Sequence, residues 1–510
     1  MLEINLFILQ KYKLKFNLIL QQLVFKIDKK IKIIKPTIFL ILHFIFYMSN
    51  NIQQDLLIFN ELIDFLLKEE LKNPVTEYIN PDQVGEQLDI SLSEEGISHK
   101  DFKNALKELL IKTPKSSSKL FFNQLYGGRH SKAILGDLLA VFLNNSMATY
   151  KISGPQVTVE QEILSQIYRL IGYDKNPGGT FPTGGSMSNF MSLIMARDKI
   201  SVDIKNKGIS KKLVAYTSEN AHYSIAKNAS FSGLGKENVR YINSDEKGRI
   251  NIIAFENQVQ IDLENGFIPF YLNATAGTTV LYAFDDVSSL APICKKHKIW
   301  MHLDGAFGGS VIFSEKHKSL IKGVNLTDSF CFNAHKTLGA PLSTSILVVK
   351  EKQDLYNSFN NKADYLYQTH NERFNLGQTS FECGRRNNAL KLWVMWKSIG
   401  TKGIAKIVDH EFELADKARK YILNNADYTL YSFENSLSIC FNYKDFDAED
   451  LCNKLYENNK LMIGFGHFKE KKFIRLVIVN GENNHEDLMH FFKVLESFAV
   501  ENQDVIKKYF

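Results

Sequence analysis

The chain has 510 residues, of which 45% are hydrophobic and 23% charged, a composition typical of a globular protein with two or more domains around a large core. Its formal net charge of +6 comes from residues 1–47, which carry eight lysines against two acidic residues, so the rest of the chain is neutral. A neutral body gives no basic patch for nucleic acid. The five cysteines show no CxxC pair and no metal-ligand spacing, which indicates reduced thiols in a cytoplasmic protein without a metal site.

Residues 1–47 form an extension built almost wholly from Leu, Ile, Phe, Lys, Asn and Gln. Its longest apolar run covers about a dozen residues, against the roughly 20 that a membrane-spanning helix needs. Three interpretations are open: a basic amphipathic membrane anchor, an uncleaved signal-like segment, and sequence that is not translated because the start is Met48. We favour the third, and we expect membrane contact only if the extension is real and amphipathic.

Residues 48–120 are predicted to be an N-terminal helical segment. Apolar residues recur at helical spacing over residues 52–72, and a second helix is expected at His99–Ile111 with Ser98 as its cap. These helices either pack on the body of the protein or form an arm that joins two subunits. The aromatic and amide residues of Phe121–Gly128 then predict either an ordinary turn or one wall of a pocket for a polar small molecule.

A glycine-rich turn precedes a helix predicted at Phe190–Lys199. Gly185 and Ser186 in this turn would offer backbone N–H groups and the positive end of the helix dipole to an anion. The turn lacks the GxGxxG and P-loop spacings, which argues against a dinucleotide or a nucleoside triphosphate. The alternative is a glycine-rich connector that binds nothing.

Alternating strands and helices then predict a doubly wound α/β sheet whose strand ends deliver polar residues to one edge. Strands are expected at residues 212–217, 267–272 and 299–303, with a helix at Val287–His297. An isolated histidine is usually a core or surface residue, but His222 follows a strand end, which favours a place in a site.

The pair Asp304 and Lys336 carries the strongest chemical signal, because each residue follows or ends a short apolar strand. A pyridoxal phosphate (PLP) site needs such a pair: the lysine forms a Schiff base with the cofactor, and the carboxylate keeps the pyridine nitrogen protonated. Taken alone, Lys336 also fits a solvated strand end and Asp304 a turn or helix cap, so the interpretation depends on the other motifs.

The polar segment 355–375 predicts a mobile lid that carries Tyr365. Two amphipathic helices, at Leu390–Ile399 and residues 403–424, lead into a small α+β domain. Arg475 lies there within an apolar strand predicted at Phe473–Val479. A buried arginine needs an anion, which is either an internal carboxylate or a bound one that fits its planar fork.

In this order the motifs resemble the group II PLP-dependent amino acid decarboxylases. The resemblance is carried by Asn333-x-His335-Lys336, by the segment His302–Gly309 around Asp304, and by His222 in Ala-His-Tyr-Ser. The segments Phe121–Leu125 and Cys383–Arg386 resemble the branch of glutamate, cysteine sulfinate and aspartate decarboxylases. The resemblance extends from about residue 120 to the C-terminus.

The resemblance implies an α/β fold of the PLP-dependent transferase type I. Its large, doubly wound, mostly parallel sheet domain is expected at residues 121–390 and the smaller C-terminal α+β domain at residues 391–510. The implied reaction is PLP-dependent α-decarboxylation of an acidic L-amino acid, namely glutamate, aspartate or cysteine sulfinate, by a cytoplasmic homodimer with sites at its interface. Tyr126 favours a shorter acid at least as much as glutamate.

The resemblance also implies residue roles. Lys336 is the expected Schiff-base lysine, Tyr365 the donor of a proton to the carbon that has lost CO2, and His222 the residue stacked on the ring. The other expected cofactor contacts are Asp304, Ala306, Gly185, Ser186, Thr275, Asn333 and His335. Substrate contacts are expected from Arg475, at the α-carboxylate, and from Asn123, Gln124 and Tyr126. Gly305, Phe307 and Ala334 depart from the Ala, Trp and Pro usual in the family, but remove no chemical group.

Other functions are open from the sequence. They are decarboxylation of an aromatic or diamino acid, a PLP aminotransferase or lyase, and a non-catalytic homologue that acts as a binding subunit. Loss of Lys336, Asp304 or Tyr365 would favour the non-catalytic homologue, and all three residues are present. The sequence contexts of His222 and Tyr365 speak against an aminotransferase.

Overall fold

The structure, a computed structural model, describes residues 35–72, 75–361, 363, 365–367 and 371–508, with side chains from residue 52 onward in those ranges. Most of the extension predicted at residues 1–47, up to residue 34, therefore lies outside the described residues. The chain divides into two compact units, Met1–Leu71 with Gly85–Ile111, and Lys72–Val84 with Lys112–Phe510. No helix in the described ranges is both long enough and apolar enough to cross a membrane.

The first unit is helical, as the spacing of its apolar residues predicts. Helix α1 (Lys35–Leu71) includes residues 52–71 of the helix predicted at residues 52–72 and begins upstream of Met48. The short α2 (Val84–Gln87) is followed by α3 (His99–Lys112). The hydroxyl of Ser98 accepts the backbone N–H of Asp101 at 3.2 Å, so the predicted cap of α3 is confirmed.

A seven-stranded sheet forms the centre of the second unit. Its strands are β1 (Gly178–Thr180), β2 (Leu213–Ser218), β3 (Val239–Ile242), β4 (Ile268–Thr275), β5 (Trp300–Gly305), β6 (Ser329–Asn333) and β7 (Ser345–Val349). The order is β1-β7-β6-β5-β4-β2-β3. Strands β3, β2, β4, β5 and β6 are parallel, while β7 is antiparallel to both of its neighbours. The predicted α/β fold with a mostly parallel sheet is confirmed.

Helices alternate with these strands along the chain. They are α4 (Ser131–Leu143), α5 (Tyr150–Ser153), α6 (Gln156–Ile171), α7 (Gly185–Ile200), α8 (Asp203–Lys207), α9 (Ser224–Phe231), α10 (Ile252–Glu264), α11 (Val287–His297), α12 (Ala334–Thr337) and α13 (Lys352–Phe359). Two predicted boundaries are wrong. Helix α7 begins at Gly185 rather than Phe190, because the buried side chains of Ser188 and Asn189 hydrogen-bond Ser345 and Asp304. Helix α13 occupies the start of the predicted lid, where Leu355 is fully buried and holds the helix on the body.

A smaller antiparallel sheet and its helices complete the second unit. The elements are α14 (Ala389–Leu423), β8 (Tyr428–Leu430), β9 (Ser438–Tyr443), α15 (Ala448–Glu457), β10 (Gly464–Phe468), β11 (Lys471–Val477) and α16 (His485–Glu501). The strand order is β10-β11-β9-β8. Gly400, with φ of 67°, interrupts α14 and separates the two helices that the sequence predicts.

The Cys383–Arg386 motif contributes a buried ion pair. Both terminal nitrogens of Arg385 donate to the carboxylate of Glu160 on α6, each at 2.7 Å. The two side chains are only 4% and 1% exposed. Such a two-point contact satisfies both charges where water cannot, so removal of either partner would leave the other charge buried alone.

Candidate active site

The parallel strands end side by side and bring the predicted polar residues to one edge of the large sheet. The register pairs Thr275 at the end of β4 with Asp304 in β5, and Asp304 with Cys331 in β6. Helix α12 begins directly after β6 and carries Lys336. Because β5 and β6 are neighbours in the sheet, Asp304 and Lys336 lie at the same edge although they are 32 positions apart in the chain.

Lys336 is half-buried, and its Nζ lies 5.9 Å from the centre of the Phe307 ring. Burial lowers the pKa of its ammonium group, while the nearby Asp304 and Cys331 act in the opposite direction. A lowered pKa favours the neutral amine, which is the nucleophilic form.

Asp304 is 4% exposed and has no basic partner for an ion pair among the described residues. Its Oδ2 accepts a hydrogen bond from Asn189 Nδ2 at 2.7 Å, and its Oδ1 accepts the backbone N–H of Ala306 at 3.0 Å. These two bonds fix the orientation of the carboxylate and leave acceptor capacity for a cationic donor within the site.

His222 lies on the loop between β2 and α9. Its Nδ1 accepts the backbone N–H of Ser224 at 3.2 Å, which fixes the orientation of the ring. Burial lowers the pKa of the imidazole; the charge of Asp304 raises it and that of Lys336 lowers it. The histidine is therefore within electrostatic reach of both residues and presents a neutral ring.

Close packing joins Gly185, Ala306 and Asn333. A Cβ atom on Gly185 would lie 2.9 Å from the Ala306 Cβ and 3.1 Å from Asn333 Nδ2, so a larger residue does not fit there without movement of its neighbours. Gly185 and Ser186 form the first turn of α7, where backbone N–H groups have no acceptor within the helix. Such a turn suits an anionic group.

Two buried polar atoms at this edge have no hydrogen-bond partner among the described residues: Thr275 Oγ1 and Asn333 Oδ1. The backbone at Thr275 is held by Asp285, whose Oδ2 accepts the Thr275 N–H and whose Oδ1 accepts the Ile250 N–H, both at 2.7 Å. Burial raises the pKa of Asp285 to about 6. Buried polar atoms without partners are rare, so these two fit a bound polar group.

His335 is buried beside Lys336 and is neutral. Its Nδ1 accepts the backbone N–H of Thr344 at 3.0 Å, which leaves the proton on Nε2. Burial, together with the charge of Lys336, lowers its pKa to about 4. The lysine, the carboxylate, the neutral histidines and the anion-binding turn together form a set of groups that fits PLP.

Arg475, on β11, is held by backbone carbonyls instead of a carboxylate. Its Nη1 donates to Thr279 O at 2.8 Å and its Nη2 to Asn123 O at 3.1 Å, while its Nε is buried without a partner. No acidic side chain pairs with it in the described part of the chain, and burial lowers its pKa. Among these residues there is therefore no carboxylate that could form the alternative, an internal salt bridge with Arg475.

The loop that binds Arg475 packs on the loop that follows Asp304. A Cβ atom on Gly277 would lie 2.8 Å from the backbone N of Gly308, and the ring of Tyr282 meets that of Phe307 edge-on at 4.5 Å. Adjacent loops thus link the arginine to the residues beside the lysine.

Other predicted site residues are exposed to solvent. Gln124 and Tyr126 are exposed, and Tyr365 is 80% exposed. Of the segment Asn123–Tyr126, the structure brings the Asn123 backbone to Arg475. The glycine at position 305 has a packing reason, since a Cβ there would lie 2.7 Å from the Phe330 ring and from the Cys331 carbonyl.

The sequence interpretation missed Asn189 and His302, which lie directly behind Asp304. His302 precedes Asp304 by two residues and therefore points to the same face of β5, a periodicity that the sequence does contain. Asn189 follows Gly185 by four residues, which is one helical turn, but the predicted start of α7 at Phe190 concealed this relation.

Comparisons with known proteins agree with this geometry. The profile of a family described as "Pyridoxal-dependent decarboxylase conserved domain" matches residues 81–444. Acidic amino acid decarboxylase GADL1 of Xenopus tropicalis is 31% identical over 456 residues, which are 85% of this chain and 89% of that protein. Human cysteine sulfinic acid decarboxylase is 30% identical over 465 residues, 86% of this chain and 94% of that one. The crystal structure of mouse CSAD has a TM-score of 0.83 at 29% identity and covers 86% of this chain and 98% of its own.

Proposed function

The chain belongs to the pyridoxal-dependent decarboxylase family, and from that premise we propose that it removes the α-carboxylate of an acidic L-amino acid as CO2 and releases the amine. The candidate substrates are glutamate, aspartate and cysteine sulfinate. The observation that carries the proposal is Arg475, a half-buried cation with no acidic partner among the described residues, linked by adjacent loops to the surroundings of Lys336. The names of the relatives support an acidic side chain.

PLP, when bound, supplies an electron sink for the negative charge left on the α-carbon as CO2 departs. We assign Lys336 to its aldehyde carbon and Asp304 to its pyridine nitrogen, with His222 and Ala306 at the two faces of the ring. The residues assigned to the phosphate and its surroundings are Gly185, Ser186, Thr275, Asn333 and His335.

Arg475 binds the α-carboxylate of the substrate through its planar fork and orients the bond to be broken. Its partial burial strengthens that contact, because charges attract each other more strongly where less water surrounds them. Lys336 carries a lowered pKa and therefore gives up its proton readily, which suits an amine that must release the product. Asn123, Gln124 and Tyr126 are the proposed contacts of the substrate side chain.

We also propose a homodimer in which the lid segment reaches the partner subunit. Tyr365 is exposed within one chain, and α4 presents an apolar stripe of Leu135, Leu139 and Phe142 at helical spacing, 48%, 45% and 63% exposed. A stripe of this kind on one helix is typical of a surface that another protein covers.

The proposal is tested on protein produced from Met48 and supplied with PLP. We expect visible absorption from lysine-bound PLP and release of CO2 and amine from one of the three acids, with little release from an aromatic or a diamino acid. Turnover of the aromatic or diamino acid alone would replace the proposed substrate class. Visible absorption without any CO2 release would favour an aminotransferase, and absence of the absorption would favour a non-catalytic homologue.

Substitution of Tyr365 by phenylalanine is expected to change the products more than the consumption of substrate. The variant lacks the hydroxyl proposed to return a proton to the carbon that has lost CO2, so oxidative or transamination products should accumulate beside the amine. Mass spectrometry of the products measures this ratio. Tyr367→Phe, a half-buried tyrosine in the same loop, is the control; an unchanged product ratio in Tyr365→Phe contradicts the assigned role.

A further inference from the structure

Behind Asp304, buried polar side chains form a continuous series of hydrogen bonds. Asn189 Nδ2 donates to Asp304 Oδ2 at 2.7 Å, and Asn189 Oδ1 lies 3.0 Å from His302 Nε2. His302 Nδ1 lies 2.8 Å from Ser329 Oγ, which in turn accepts a bond from Trp300 Nε1 at 2.9 Å. All five side chains belong to residues that are at most 5% exposed, so water does not compete for these contacts.

The carboxylate of Asp304 fixes the direction of every bond in the series. A carboxylate only accepts, so the amide of Asn189 must turn its NH2 group toward Asp304 and its oxygen toward His302. His302 must then donate from Nε2, which leaves Nδ1 to accept the hydroxyl proton of Ser329. Burial lowers the pKa of His302 to about 4, so the neutral ring that this pattern requires is the form present at neutral pH.

We propose that His302 is a positioning residue that acts through Asn189 to keep the Asp304 carboxylate aligned with the ring nitrogen of the cofactor. This inference rests on the proposed function and assigns a task to two residues that do not touch the substrate. Without a donor at position 302, the Asn189 oxygen loses its hydrogen bond to the ring, and only the bonds from Asn189 Nδ2 to Asp304, at 2.7 Å, and to Ser224 Oγ, at 3.2 Å, hold the amide. The thiol of Cys331, 3.8 Å from the Asn189 oxygen, is a weaker donor.

Three variants separate positioning from simple packing. His302→Leu fills similar space but removes the donor to Asn189. His302→Gln restores a side-chain N–H that can donate to the same oxygen, together with an acceptor for Ser329. Ser192→Ala is the control, because it deletes an equally buried hydroxyl that bonds Ser329 at 2.8 Å but does not touch His302 or Asn189.

The direct readout is the protonation of the ring nitrogen, observed by NMR on holoenzyme loaded with 15N-labelled PLP. In His302→Leu we expect the signal to move toward the unprotonated form and PLP to dissociate roughly 10- to 100-fold more readily, the loss typical when a residue that orients a ligand is removed. His302→Gln and Ser192→Ala should keep the wild-type signal. A wild-type signal and PLP affinity in His302→Leu overturn the proposal, as does a signal lost equally in all three variants.

A second variant keeps the inference testable if His302→Leu does not fold. Asn189→Ala keeps a good helix former in α7 and removes the bond to Asp304 itself, so it should give the same displaced signal, and an unchanged signal would overturn the inference. The NMR readout needs no substrate. If the enzyme rejects every acidic amino acid while the variants behave as described, the proposed substrate is wrong and the positioning role stands.

Discussion

Replacement of Lys336 by alanine is expected to lower the rate of CO2 release by about 100- to 10,000-fold or more, because the variant loses both the amine that holds the cofactor and the group that exchanges protons with the product. The visible absorption of lysine-bound PLP should disappear in the same variant. Steady-state CO2 release and an absorption spectrum measure the two effects. Near-wild-type turnover would exclude Lys336 as the cofactor lysine.

Lys391 provides a control, because it is a buried lysine that is not among the residues assigned to the site. It is 1% exposed, donates to the Leu342 carbonyl at 2.7 Å and lies 3.5 Å from the carboxylate of Asp137. Lys391→Met should therefore retain the visible absorption and the turnover of the folded protein. Any loss should appear in the thermal unfolding temperature, since the Asp137 carboxylate loses a partner.

Substitution of Arg475 by methionine is expected to reduce kcat/KM by roughly 30- to 5,000-fold, which corresponds to the about 2–5 kcal/mol lost when one member of a buried, hydrogen-bonded charge pair is removed. The substrate carboxylate would enter a desolvated pocket without a cation. Arg475→Lys keeps the charge but not the planar fork, so it should recover only part of the loss. PLP absorption should be unchanged in both variants.

A comparison with Arg385 distinguishes a substrate contact from a structural one. Arg385→Met should lower the free energy of unfolding by about 3–5 kcal/mol, because Glu160 would remain charged and buried. Arg475→Met should change the unfolding temperature little, since Arg475 has no acidic partner among the described residues. If Arg475→Met destabilises the protein as strongly as Arg385→Met and leaves kcat/KM intact, the arginine is structural.

The sequence was informative where chemically active residues follow directly after predicted strands. Each parallel strand ends at the same edge of the sheet, so Asp304 and Lys336 were predicted together from their places after apolar strands, and the register pairs β5 with β6. The two amphipathic helices predicted at Leu390–Ile399 and residues 403–424 are likewise separated by Gly400 in the structure. In both cases the determining physics is local, and a single sequence contains it.

Contacts between segments that are distant in the chain could not be predicted from the sequence in this way. The Ser-Met-Ser-Asn segment before Phe190 resembles a loop in composition. It nevertheless forms the first turn of α7, because buried residues on β5 hydrogen-bond the Asn189 amide and so offset the cost of its burial. The absence of an acidic partner for Arg475 among the described residues is equally a property of the packed structure. Conversely, nothing in the sequence shows that Tyr365 is exposed within one chain.

The contact of Gly185 with Ala306 and Asn333 has a consequence for the order of folding. Gly185 is more than a hundred positions from both Ala306 and Asn333 along the chain, so the pocket exists only after β5, β6 and the start of α7 have come together. Contacts of such high sequence separation form late, because closure of long loops costs entropy before any contact compensates it. A nascent chain that ends before β6 has no complete pocket, and a cofactor molecule that binds the finished pocket ties together segments made at very different times.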